Sequence, residues 1–227
     1  MAAMTDPAAY EAWYHTPRGR WIGQQEFSLL IKLVQPVNGQ SLLDVGSGTG
    51  YFSRAFAEAG LKVTGIDPDT DMIHYAQAQT GTVDYLQGDA RHLPFADNSF
   101  DYCTAVTSLC FVDQPVKALA EMWRVSRQGI VLGLLNRNSL LYRSKHNSGS
   151  YRGARWDRWT EVEQWVAQLT PVSIEHRHKT AISLPNGGSL SRLAEQLLPG
   201  RLPWGGFIAV YIARNTATIS VSHDCPA

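Results

Sequence analysis

Residues 41–52 read Ser-Leu-Leu-Asp-Val-Gly-Ser-Gly-Thr-Gly-Tyr-Phe, an apolar run closed by Val45 and followed at once by three glycines in five positions. Gly46, Gly48 and Gly50 permit positive φ and leave the backbone bare for close approach, and Ser47 and Thr49 lie between them. Phe52, Ala55, Phe56 and Ala59 then recur at helical spacing, so a glycine turn joins a strand to a helix N-terminus. Unpaired N–H groups and the helix dipole at such a turn attract a negatively charged group. The third glycine of a Gly-x-Gly-x-x-Gly pattern would fall at Tyr51, which argues against a dinucleotide fingerprint.

Three carboxylates fall at corresponding places after this turn. Asp44 lies within the first strand, Asp67 ends the second and Asp89 follows the third, so a parallel sheet brings all three to one carboxyl edge, where open α/β sheets bind ligands. An ionised carboxylate only accepts hydrogen bonds, which suits Asp67 to both hydroxyls of a ribose and Asp89 to an exocyclic amine. Alternatively, Asp89 is a solvated loop carboxylate or a cap. Asp44 either meets the ligand or holds the glycine turn through its N–H groups.

The elements that must position these residues alternate: a helix over 50–59, a strand over 62–66, a helix over 69–79, and strands over 83–86 and 101–106. Pro68 stands near the start of the second helix, whose apolar side is Met72, Ile73, Tyr75 and Ala76. Asp113 precedes a helix carrying Val116, Leu119, Ala120 and Trp123, and Gly129 opens a fifth strand to Leu135. Such alternation specifies a parallel sheet covered on both faces. Upstream, Tyr10 to Tyr14 is aromatic, Thr16 to Gly19 is a turn, and Ile22, Phe27, Leu30, Ile31 and Val34 suit one helix face.

Downstream, periodicity fails between Asn136 and Trp159, where arginines alternate with Tyr142, Tyr151, Trp156 and Trp159. This reads as an insertion over the strand ends. Thr160-Glu-Val-Glu163 has capping-box spacing and starts a helix to Leu169 that Pro171 stops. A strand over 172–184, a helix over 189–198, a strand over 206–214 and a loose tail complete the chain. The expected organisation is one domain over 1–227: a lead-in over 1–38, a ligand-binding core over 39–135, an insertion or lid over 136–159, the second half of the sheet over 160–214 and a tail over 215–227.

Together, Leu42-Leu-Asp-Val-Gly-Ser-Gly-Thr-Gly50, Gly65-Ile-Asp67, Gly88-Asp-Ala90, Leu93-Pro-Phe-Ala-Asp-Asn-Ser-Phe-Asp101 and Leu109-Cys-Phe-Val-Asp113 resemble a class I S-adenosylmethionine-dependent methyltransferase of type 11. The segments Tyr10 to Gly19, Leu135 to Ser139 and Gly205 to Val210 extend the resemblance over almost the full length. It implies a Rossmann-like α/β fold: a seven-stranded, mostly parallel sheet with helices on both faces and an antiparallel last strand. It also implies S-adenosylmethionine as cofactor, leaving as S-adenosylhomocysteine. Gly46, Ser47, Gly48 and Gly50 would then surround the methionine part and Asp67, beside Pro68, the ribose. Asp89 with Ala90 would meet the adenine edge, Met72 its face, Thr107 the methionine moiety, and Tyr14 would close over the cofactor. Met72 also suits plain core packing, and Tyr14 a cover for the sheet edge. The chain departs from the family pattern at Ser126-Arg-Gln-Gly129, where many relatives have a proline and two glycines.

Bulk properties restrict the rest. Lysine plus arginine number 20, as do aspartate plus glutamate, so no global field draws the protein to nucleic acid or an anionic membrane. Three cysteines without a Cys-x-x-Cys pair indicate neither a disulfide framework nor a zinc site. The expectation is a cytoplasmic, metal-independent enzyme acting on a small-molecule acceptor, with no catalytic base named by the sequence. Two rivals stand beside it. The arginine-rich insertion would suit methylation of RNA or a modified base, or else is a solvated lid whose arginines stack on their own tyrosines and tryptophans. The missing base motif would suit a cofactor-binding regulatory module without turnover.

Overall fold

The structure, a computed structural model, describes residues 6–173, 175–184, 188, 191–192, 195 and 203–214. The strands are β1 (Ser41–Val45), β2 (Lys62–Asp67), β3 (Asp84–Gln87), β4 (Phe100–Val106), β5 (Ser126–Leu135), β6 (Glu175–Ala181) and β7 (Phe207–Ala213). They form one seven-stranded sheet in the order β3-β2-β1-β4-β5-β7-β6. Parallel pairing joins β3 through β5, whereas β7 pairs antiparallel with both of its neighbours and is the strand that runs against the rest. The order reverses beside β1, so β1 to β4 open the crevice that ligands use in such sheets.

The helices are α1 (Pro7–His15), α2 (Pro17–Val34), α3 (Tyr51–Glu58), α4 (Thr70–Gln77), α5 (Pro115–Val125), α6 (Leu140–Lys145) and α7 (Trp159–Val166). Strand alternation sorts side chains into two cores, as a pleat of period two requires. Leu43, Cys103, Ile130, Leu132, Ile208 and Val210 point to the α5 and α7 side, where Leu119, Met122, Trp123 and Val162 meet them. Leu42, Tyr102, Val131, Ala209 and Tyr211 point the other way, onto Leu30 and Leu33 of α2 and Phe56 of α3.

Several boundaries differ from the sequence reading. The aromatic Tyr10 to Tyr14 segment is a helix, and the expected turn shrinks to Thr16, whose hydroxyl donates to Trp13 O at 2.7 Å and accepts from Gly19 N at 3.0 Å. Thr16 thereby ends α1 and caps α2, with Pro17 at the first helical position, where its missing N–H costs nothing. Helix α7 starts before Thr160, and Glu161 rather than Glu163 reaches back, accepting from Arg158 N at 2.7 Å. Strand β5 begins at Ser126 instead of Gly129, with a register shift between Phe100 and Tyr102 of the neighbouring β4. The expected helix over 189–198 lies mostly, and the tail over 215–227 wholly, outside the described residues. Among the described residues no helix is long and apolar enough to cross a membrane, and no group of three or more His, Cys, Asp or Glu could hold a metal ion.

Candidate active site

The glycine turn is held by its neighbour strand. Ile66 O accepts from both Gly46 N (2.7 Å) and Ser47 N (3.1 Å), and φ is +75°, +52° and +82° at Gly46, Gly48 and Gly50. The three glycines answer different demands. A Cβ on Gly46 would lie 2.3 Å from Ser108 Cβ and one on Gly50 2.2 Å from the Tyr85 hydroxyl, whereas one on Gly48 would meet nothing within 4 Å. Gly48 is therefore the bare backbone that faces open space, and Gly50 serves as the N-cap of α3 against Tyr85.

Asp67 is tied to the same turn. Its Oδ2 accepts from Gly48 N at 2.8 Å and its Oδ1 from Asp69 N at 2.9 Å. Burial raises its pKa, and these two N–H groups oppose the rise. Asp44 is buried beneath the turn and accepts from Ser53 Oγ at 2.5 Å. Burial, against that hydrogen bond and with the nearby charge of Asp67, pushes its carboxyl up to about 7. Asp44 and Ser47 line a small pocket under the turn together with Gly46, Gly48, Tyr10 and Tyr14, and the Ser47 hydroxyl is buried there without a hydrogen-bond partner.

A cavity of about 1150 Å³ opens above the turn. Of the residues singled out from sequence, Tyr14, Gly46, Gly48, Asp67, Pro68, Met72, Asp89, Ala90 and Thr107 line it; Asp44, Ser47 and Gly50 do not. Asp89 is engaged by a side chain that the sequence reading left out: Arg91 binds it through Nε (3.0 Å to each oxygen) and Nη2 (2.6 Å), then reaches Asp113 through Nη1 at 2.8 Å. Arg91 holds the Asp89 carboxyl down at about 2. The signal was its i+2 spacing from Asp89, which also lets Arg91 N donate to Asp89 Oδ1 at 2.8 Å as an Asx turn.

The cavity roof comes from the lead-in and the insertion. Tyr14 stacks on Tyr51 with ring centroids 3.9 Å apart, and its hydroxyl lies 3.4 Å from that of Tyr10. Glu11, buried on α1, accepts from Thr49 Oγ1 at 2.6 Å and from Arg54 Nη2 at 2.5 Å, so an ion pair clamps the roof onto the glycine turn. From α2, Ile22 and Glu26 face the cavity. The insertion closes the far side over the ends of β4 and β5, where Leu141 and Trp156 pack on Cys110 and Leu135. Its arginines are partly spent internally. Arg155 pairs with buried Asp157 at 2.6 Å and lies over Trp165, and Arg137 lies over Tyr142.

Comparison with known proteins agrees with this geometry. The "Methyltransferase domain" family model matches residues 43–132. A demethylmenaquinone methyltransferase of Renibacterium salmoninarum is 45% identical over 101 residues, covering 44% of this chain and 43% of that protein. A malonyl-[acyl-carrier protein] O-methyltransferase of Pectobacterium atrosepticum is 38% identical over 103 residues, covering 45% and 41%. The chain thus spans less than half the length of these two relatives. A Thermotoga maritima structure described as a SAM-dependent methyltransferase, possible histamine N-methyltransferase, superposes with a TM-score of 0.73 at 25% identity, over 92% of this chain and 95% of that one. The ordered motifs, the strand order and these likenesses converge: residues 43–132 match the type 11 methyltransferase domain family, on the Rossmann-like sheet of the S-adenosylmethionine-dependent methyltransferase structure that the chain resembles.

Proposed function

We propose that this protein transfers the methyl group of S-adenosylmethionine to a small-molecule acceptor. The observation that carries the reading is the single cavity of about 1150 Å³ whose one wall is the glycine turn with Asp67, Met72 and Asp89, and whose other wall is the aromatic roof. That volume takes a cofactor and an organic acceptor together. The residues fit the cofactor: Gly48 has room for a group against its backbone, and the Ser47 hydroxyl lies buried without a partner beside it. Gly46, Ser47 and Gly48 would hold its amino-acid end and Asp67 the ribose hydroxyls, with Pro68, Met72, Asp89 and Ala90 around the adenine and Thr107 and Tyr14 near the methionine. Asp44 supports this from below by holding Ser53.

Bound S-adenosylmethionine supplies a methyl on a sulfonium that is its own leaving group. What remains for the chain is positioning and exclusion of water. Tyr14, stacked on Tyr51, and the clamp from Glu11 keep the roof closed over the turn. Relatives named for demethylmenaquinone, malonyl-[acyl-carrier protein] and histamine support an acceptor other than nucleic acid. RNA methylation loses part of its motive, because Arg155 and Arg137 are occupied by the protein's own acid and rings.

Calorimetry with S-adenosylhomocysteine tests the cofactor half. Asp67→Ala should weaken binding by about 1.5–3 kcal/mol through loss of charge-assisted hydrogen bonds. Undetectable binding by folded wild type, with no effect of the substitution, would overturn the reading. Mass spectrometry across acceptor panels decides between an enzyme and a regulatory module, and RNA binding that weakens as salt rises would revive the nucleic-acid alternative.

A further inference from the structure

Glu26 occupies a position where the fold calls for an apolar residue. Ile22, Glu26, Leu30 and Leu33 follow one another at spacings of four, four and three, so they share one stripe of α2, and the other three are core residues. Glu26 is 7% exposed and lines the cavity. Among the described residues it has neither a hydrogen bond nor an ion pair, and burial alone pushes its carboxyl up to about 8. Leaving such a group unpaired costs stability that a leucine would not. The arrangement makes physical sense when a ligand brings the missing partner.

The surroundings specify that partner. Tyr10, Trp13 and Tyr14 of α1 and Tyr151 of the insertion line the same cavity. Burial lifts the hydroxyls of Tyr10, Tyr14, Tyr51 and Tyr151 above the usual tyrosine range, the nearby charge of Glu26 adds to the rise, and all four stay neutral at physiological pH. Of the two guanidinium groups on the cavity wall, Arg91 is engaged by Asp89 and Asp113, and Arg152 stands exposed at the mouth. A carboxylate amid electron-rich rings is the chemistry that binds an alkylammonium, through an ion pair and cation–π contact. An anionic acceptor would keep Glu26 protonated and gain no ion pair from it.

We propose that Glu26, with Tyr10, Trp13, Tyr14 and Tyr151, forms a subsite that binds the protonated amine of the methyl acceptor. This rests on the methyltransferase reading for the word acceptor; the binding itself does not. An ammonium ion docking on Glu26 ionises a carboxyl that is mostly protonated at pH 7, so binding releases a proton that none of the neighbouring tyrosines supplies.

The test titrates the full chain with three matched probes, 2-phenylethylamine, 2-phenylethanol and phenylacetate, by calorimetry at pH 7 in two buffers of different ionisation enthalpy, with and without S-adenosylhomocysteine. The amine should bind at least about tenfold more tightly than the alcohol or the acid and release a proton. Glu26→Gln, which keeps the shape, should lower amine affinity about tenfold and abolish the proton release while leaving S-adenosylhomocysteine affinity within about twofold. No amine binding, equal binding of the alcohol or acid, or an amine preference untouched by Glu26→Gln would overturn the proposal. If the variant fails to fold, the wild-type selectivity and proton release still decide. Amine preference without S-adenosylhomocysteine binding would sink the methyltransferase reading and leave the subsite standing.

Discussion

The floor of the cavity pairs every one of its carboxylates, whereas the roof pairs Glu11 and leaves Glu26 without a partner. On the floor, Asp67 accepts from two backbone N–H groups, Asp44 from Ser53 and Asp89 from Arg91, so every acid is satisfied before any ligand arrives. In the roof, Glu26 is buried with nothing opposing its desolvation. Buried polar groups are almost always paired, so the floor is preorganised and the roof stores an unmet demand. The floor lies within residues 43–132, which match the methyltransferase domain model, and the roof comes from segments outside that match.

Severing the two halves should have the largest effect. Glu11→Ala removes the roof's anchor and takes from the half-buried Arg54 head group its carboxylate partner, at a cost of about 3 kcal/mol. Urea unfolding followed by fluorescence measures it, and a loss below about 1 kcal/mol would mean that the roof does not depend on this clamp.

The second break concerns the unpaired acid. Because the folded protein holds the Glu26 proton up to about 8 while the unfolded chain releases it near 4.5, folding binds a proton between those values and stability falls as pH rises through that window. Glu26→Gln should therefore gain on wild type by up to about 1.4 kcal/mol for each pH unit between about 5 and 8. Taking the difference between the two proteins cancels the same-signed contribution of Asp44. Thermal melts at pH 5, 6.5 and 8 read the trend, and parallel curves would show that Glu26 is already paired.

The smallest effect belongs to the floor's exposed edge. Asp89 is held at about 2 by Arg91, so its contribution is present above the ordinary carboxylate range and fades as pH falls toward 2. Its side chain is 40% exposed, and Asp89→Asn at pH 7 should cost no more than about 1 kcal/mol. A larger loss would place Asp89 among the buried supports of the turn.

The floor was legible in the chain because its logic is local. Glycines that need positive φ, an acid at the end of the next strand and alternating apolar runs all sit close together in sequence, and a parallel sheet leaves one way to assemble them. The roof was not legible to the same degree. The stripe Ile22, Phe27, Leu30, Ile31 and Val34 correctly marked α2 as buried on one face yet passed over Glu26, whose i+4 spacing from Ile22 and i−4 spacing from Leu30 put it on that face. The arginines of the insertion suited either RNA or the chain's own aromatic rings, and the fold sets Arg155 on Asp157 and Trp165 and Arg137 over Tyr142.

By itself, then, the sequence determined the strand-turn-helix unit, the order of the alternating elements and the acids that fall at strand ends, because backbone conformation and hydrophobic period act over a few residues. The tertiary structure alone decided which acids are paired and which is left waiting. That outcome depends on how α1, α2 and the insertion pack over the ends of β1 to β5, where contacts between residues as far apart as Glu11 and Arg54 set burial and charge.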